Sequence, residues 1–122
     1  MYLIGAPHRN KIDSQRLLEQ ATLRRDRLVT DAEVFQEILH RYSAINRREF
    51  IRPAFDVLLK VVDEVLPIDL EIVKKAKEIV LERPTTSARN AIHVAVMRCH
   101  HIEQIMTMDG DFDSFLDISR ML

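Results

Sequence analysis

The chain has 122 residues, with 18 Lys and Arg against 19 Asp and Glu and a formal net charge of −1. That length suits a single domain spanning residues 1–122. The near-balanced charge sets up no whole-surface field for nucleic acid, although a local basic patch would suffice. A hydrophobic content of 47% with 30% charged residues describes a globular domain able to bury its core without disulfides or structural metal. The single cysteine, Cys99, lies in an apolar stretch and has no internal partner, so a reducing cytoplasm is the simplest setting. There is no apolar run of the roughly 18 residues a membrane span needs. The opening Met1–Ala6 is too short for a signal-peptide core and has no basic stretch before it.

Only two glycines occur, which leaves few tight turns and favours a helix-rich domain. After a few apolar residues and a loop over 6–11, Asp13 or Ser14 can cap a helix reaching Ala21, with Leu17, Leu18 and Ala21 inward. Arg27-Leu28-Val29-Thr30 reads as a short strand. Asp31 then caps an amphipathic helix whose Val34, Phe35, Ile38, Leu39, Tyr42 and Ile45 form one stripe at roughly 100° per residue. A further helix runs from about Arg48 to Val62, with Pro53 near its start or dividing it. Glu64–Ile68 is a second strand, and its Pro67 suits a sheet edge. Asp69 caps a helix from Leu70 to about Glu82, which Pro84 stops. Ser87 caps a helix from Ala88 to His101. Gln104–Met108 is a third strand, and Leu116-Asp117-Ile118 a short fourth.

Helices alternating with short apolar strands argue for an α/β fold with a mostly parallel sheet, whose binding site lies at the carboxyl ends of the strands. Asp109, Asp111 and Asp113 fall there. Closely spaced carboxylates suit a hard cation such as Mg²⁺, and equally suit a solvated turn capping the next helical turn. Glu37 lies just outside the apolar stripe of its helix, within reach of the sheet end, but also four residues from Arg41 in the favourable order for a surface pair. Asn90 follows the Ser87 cap by three residues, at the position where Glu or Gln usually completes a capping box. Its amide oxygen can ligate a cation but adds no negative charge. His93 sits off the main stripe of the same helix, where a lone histidine is more often structural than catalytic. The chain has no Gly-rich phosphate loop, G-x-S-x-G elbow or Cys/His zinc spacing, which counts against dinucleotide binding, P-loop NTPase chemistry, serine hydrolysis and a zinc finger.

Four segments together resemble the PIN-domain family, in particular the VapC-type toxins of toxin–antitoxin pairs. They are residues 2–11, Val29–Tyr42 with Glu37 at the family's glutamate, Ser87–Ala95 with Asn90 where an Asp is usual, and the acidic stretch Met106–Asp113. The resemblance implies a three-layer α/β/α domain acting as a Mg²⁺- or Mn²⁺-dependent endoribonuclease on RNA. Glu37, Asn90 and Asp109 would be the catalytic residues, and Glu37, Asn90, Asp109 and Asp111 the metal ligands. It also implies a cognate antitoxin and a homodimer. A catalytically degenerate domain that binds antitoxin or RNA without cleavage is the alternative, because Asn90 replaces an Asp. Residues 2–11 resemble the family's first helix and loop, so its first strand, with the Asp that ends it, is expected to be missing. Unpaired strand edges and a gap in the core would follow.

Overall fold

The computed structural model describes residues 1–5, 19 and 27–121, so the loop and helix expected over residues 6–21 lie largely outside the described residues. The elements in order are β1 (Tyr2–Ile4), β2 (Leu28–Asp31), α1 (Ala32–Ala44), a 3₁₀ turn (Arg48–Phe50), α2 (Ile51–Val61) and β3 (Glu64–Leu66). They continue with α3 (Leu70–Glu82), α4 (Ala88–Cys99), β4 (Gln104–Met106), a second 3₁₀ turn (Gly110–Ser114) and β5 (Ser119–Met121). The five strands form one sheet in the order β3-β2-β1-β4-β5. Every neighbouring pair is parallel.

Strand side chains alternate between two apolar layers, as a pleated backbone requires. Leu3, Val29 and Ile105 enter a core with Ile72, Ala76 and Ile79 of α3 and Ala91 and Val94 of α4. The adjacent Leu28, Ile4 and Met106 enter a second core with Val34 and Ile38 of α1 and Leu58 of α2. A sheet covered on both faces explains why its strands read as continuous apolar runs. The result is the expected three-layer α/β/α domain.

The first strand is not missing. Tyr2–Ile4, expected as a helix and loop, is the central strand, with Leu3 aligned to Val29 on one side and to Ile105 on the other. Leu3 is fully buried, so the expected core gap and unpaired edges do not arise. A three-residue strand shows too little of the period-2 pattern to be told from a helix start, and its neighbours in the sheet supply the pairing that decides it.

A second correction concerns β5. It lies at Ser119–Met121, not at Leu116–Ile118. Leu116 is 100% exposed, whereas Phe115 and Ile118 turn inward to the core. The Ser119 amide donates to the Glu103 carbonyl at 2.8 Å, which sets the start of the β4–β5 pairing.

The remaining elements begin and end near the expected residues. The Asp31, Asp69 and Ser87 side chains accept the amide protons of Val34, Ile72 and Asn90, at 3.1, 3.0 and 3.1 Å. Pro53 falls in the first turn of α2, where its missing amide proton costs nothing. Pro67 follows β3, which is an edge strand. Leu39 and Ile45, assigned to the inward stripe of α1, are exposed. None of the helices among the described residues is long and apolar enough to cross a membrane.

Gly5 follows β1 and donates its amide proton to the Met106 carbonyl at 2.9 Å. A Cβ added there would lie 3.1 Å from the Thr107 Cβ and 3.3 Å from the Met106 carbonyl oxygen. Gly5→Val should therefore strain β1 against β4 and cost roughly 1–3 kcal/mol, read as a lower urea midpoint at unchanged slope. An unaltered midpoint would show that the strand end can widen freely.

Candidate functional site

The carboxyl ends of β1 and β4 open into a cavity of about 470 Å³ walled by α1 and α4. Its lining includes Gly5, Glu37, Asn90, His93, Asp109 and Asp111, with Arg41 and Arg89 also on the wall. Glu37, Asn90, Asp109 and Asp111, singled out from the sequence, thus meet around one space. Asp113 does not join them. It forms a two-pronged ion pair with Arg120 at 2.9 and 3.0 Å, and that hydrogen-bonded guanidinium holds its carboxyl below the usual range.

The wall is organised by His93, whose role the sequence did not reveal. Its Nδ1 lies 2.6 Å from Asp31 Oδ2, and its Nε2 lies 2.9 Å from Glu37 Oε1. The imidazole is 2% exposed, Asp31 0% and Glu37 8%, so Glu37 is not the exposed surface group that its spacing from Arg41 allowed. A neutral imidazole has one N–H, and its other nitrogen would turn a lone pair on a carboxylate. Two carboxylate partners therefore require the doubly protonated ring. Burial opposes that charge, but the hydrogen bonds and charges of Asp31 and Glu37 outweigh it and push the His93 pKa up to about 10. Asp31 performs two tasks: one carboxylate oxygen caps α1 and the other holds His93. The clue was an acid at the end of a buried strand, which reads equally well as an ordinary cap.

Asp109 and Asn90 form the opposite part of the site. Asn90 Nδ2 donates to Asp109 Oδ2 at 3.0 Å, across from β4 to the start of α4. The other Asp109 oxygen accepts the Asp111 amide at 2.9 Å, and the Asp109 amide donates to Thr107 Oγ1 at 3.1 Å. These bonds fix the Asp109 side chain. Glu33, in the first turn of α1, is raised above the ordinary carboxylate range by burial, with the His93 charge acting in the opposite direction.

The available donors are hard oxygens: the carboxylates of Glu37, Asp109 and Asp111 and the amide oxygen of Asn90. They match a cation of the Mg²⁺ class that takes one or two carboxylates and fills its remaining positions with water and phosphate. They do not form an all-protein cage. The position after β1 is Gly5, Asn90 carries no charge, and Glu37 already shares its charge with His93. No group of three or more His, Cys, Asp or Glu side chains able to hold a metal occurs among the described residues.

His93→Gln should destabilise the domain by about 3–5 kcal/mol, because two buried carboxylates lose their shared cation. The proton is held to about pH 10 in the folded state and released near 6.5 in the unfolded chain. The stabilisation is therefore complete below the lower value, declines above it and is lost beyond the upper one. The urea midpoint should fall from about pH 7 to about pH 10 in the parent and much less in His93→Gln. Parallel curves would contradict a buried imidazolium. Asn90→Asp places a second carboxylate against Asp109, and should lower the melting temperature by roughly 3–8 °C in EDTA. Mg²⁺ or Mn²⁺ should restore it. An equal melting temperature in EDTA would show that the two side chains can separate at no cost.

Residues 1–116 match the PIN domain family. The chain is 55% identical over 121 residues to ribonuclease VapC13 of Mycobacterium tuberculosis, covering 99% of this chain and 92% of that protein. The crystal structure of VapC20 from the same species, described as a sarcin-ricin loop cleaving toxin, superposes with a TM-score of 0.77 at 18% identity, covering 97% of this chain and 98% of that one. A toxin–antitoxin complex from Klebsiella pneumoniae gives a TM-score of 0.68 at 14% identity, covering 98% and 96%. With a parallel five-stranded sheet, and an acid-lined cavity at its carboxyl end, the chain belongs to the PIN domain family and, within it, to the VapC ribonucleases.

Proposed function

We propose that this protein is a VapC-type toxin that cleaves RNA phosphodiester bonds at the cavity between α1 and α4, aided by Mg²⁺ or Mn²⁺. The observation that carries this reading is the meeting of Glu37, Asn90, Asp109 and Asp111 around one cavity, in a chain 55% identical to a VapC ribonuclease. Glu37, Asp109 and the Asn90 amide oxygen would hold the metal, with Asp111 at its edge. A bound divalent cation supplies charge for the phosphoryl oxygens and lowers the pKa of a coordinated water.

The chain's own residues set the geometry. His93 and Asp31 hold Glu37 from behind, leaving its second oxygen for the cavity. Asn90 and the Asp111 amide orient Asp109. Glu37, Asn90 and Asp109 are the proposed catalytic residues. The fold likeness to a toxin–antitoxin complex supports an antitoxin partner, and we assign the chain a homodimeric, cytoplasmic setting as part of the same reading.

Asn90 and Gly5 favour one rival, a domain that binds RNA or antitoxin without turnover. The two readings separate in a cleavage assay. The purified protein should cut single-stranded RNA with Mg²⁺ or Mn²⁺, and Glu37→Gln or Asp109→Asn should lower the rate at least about 100-fold. Cleavage that survives EDTA and both substitutions would sink the nuclease assignment. Activity found only in Asn90→Asp would establish the binding domain instead.

A further inference from the structure

The acids of the cavity are largely answered within the fold, whereas one of its cations is not. His93 offsets Glu37 and Asp31, and Asn90 with the Asp111 amide satisfies Asp109. Arg41 on α1 and Arg89 on α4 both line this cavity. Arg89 is exposed, and among the described residues it has no carboxylate within ion-pairing distance. It occupies the first turn of α4, where the helix dipole disfavours a cation. Its charge reaches Glu33, in the first turn of α1, without an ion pair between the two, so the guanidinium donors stay available to a ligand. The arrangement is acidic at the floor and basic on the wall, which suits a ligand that is anionic along its length and carries a cation at one point.

We propose that Arg89, with Arg41 on the same cavity, grips the RNA phosphates flanking the scissile linkage, and that Arg89 is a substrate-positioning residue of the site. This rests on the nuclease reading above and names the groups through which that site takes its substrate. A guanidinium matches a phosphate through two parallel N–H donors, which an ammonium cannot reproduce.

The test is fluorescence anisotropy with a 5′-labelled ten-nucleotide single-stranded RNA in EDTA, repeated over a series of salt concentrations. The full-length protein is compared with Arg89→Ala, Arg89→Lys, Arg41→Ala and Lys77→Ala, the last an exposed residue of α3 that does not line the cavity. Arg89→Ala should weaken binding about tenfold and make the dependence of log Kd on log salt shallower by about 0.7, the value of one single-strand phosphate contact. Arg89→Lys should recover the salt slope but only part of the affinity, and Lys77→Ala should match the parent. Unchanged affinity and slope in Arg89→Ala, while the parent still cleaves RNA in a Glu37-dependent way, would overturn the arginine grip and leave the nuclease standing. A parent that neither binds nor cleaves this RNA would overturn both.

Discussion

A buried imidazolium holds the functional end of the domain together. His93 on α4 reaches across to Asp31 at the end of β2 and to Glu37 on α1, residues 62 and 56 positions away in the chain. All three side chains are buried. Two carboxylates placed so close in a low-dielectric setting would repel strongly, and one cation between them turns that repulsion into a clamp. The clamp closes the edge between α1 and α4 and gives Glu37 one orientation.

The same interaction shapes the chemistry of the cavity. A carboxylate that already shares its charge with an imidazolium has less to offer a metal ion. Asn90 and Gly5 lower the negative charge further, and Gly5 cannot readily be replaced, because Thr107 and the Met106 carbonyl lie against it. The site therefore differs from a cage of acids. It leaves much of the coordination of any cation to water and phosphate, so substrate and metal would strengthen each other's binding. Arg41 and Arg89 on the wall suit that arrangement, since they attract the phosphate that the metal would need.

Much of this was legible in the sequence where local physics decides the outcome. Helix caps at Asp31, Asp69 and Ser87, the buried Val34 and Ile38 of α1 and Ile72, Ala76 and Ile79 of α3, and the acids after β4 appear where short-range rules place them, whereas Leu39, Ile45 and Val73 of the same apolar stripes are exposed. Glu37 could be located but not interpreted, because helical periodicity puts it at the border of the buried stripe and only tertiary contact shows that it is buried. His93 and Asp31 were missed for a related reason: each has an ordinary local role, and their pairing depends on how α4 lies beside β2. β1 was misread because three apolar residues carry almost no period, and the strand exists by virtue of two partners distant in sequence. The β5 shift has a similar origin, since Phe115 and Ile118 are placed by the core and not by alternation.

The most direct test of this account is long-range ¹H–¹⁵N NMR of the protein labelled in its histidine side chains, recorded near pH 8. The account predicts that both ring nitrogens of His93 carry protons at that pH. A single protonated nitrogen on His93 at that pH would contradict the buried imidazolium and, with it, the clamp that fixes Glu37.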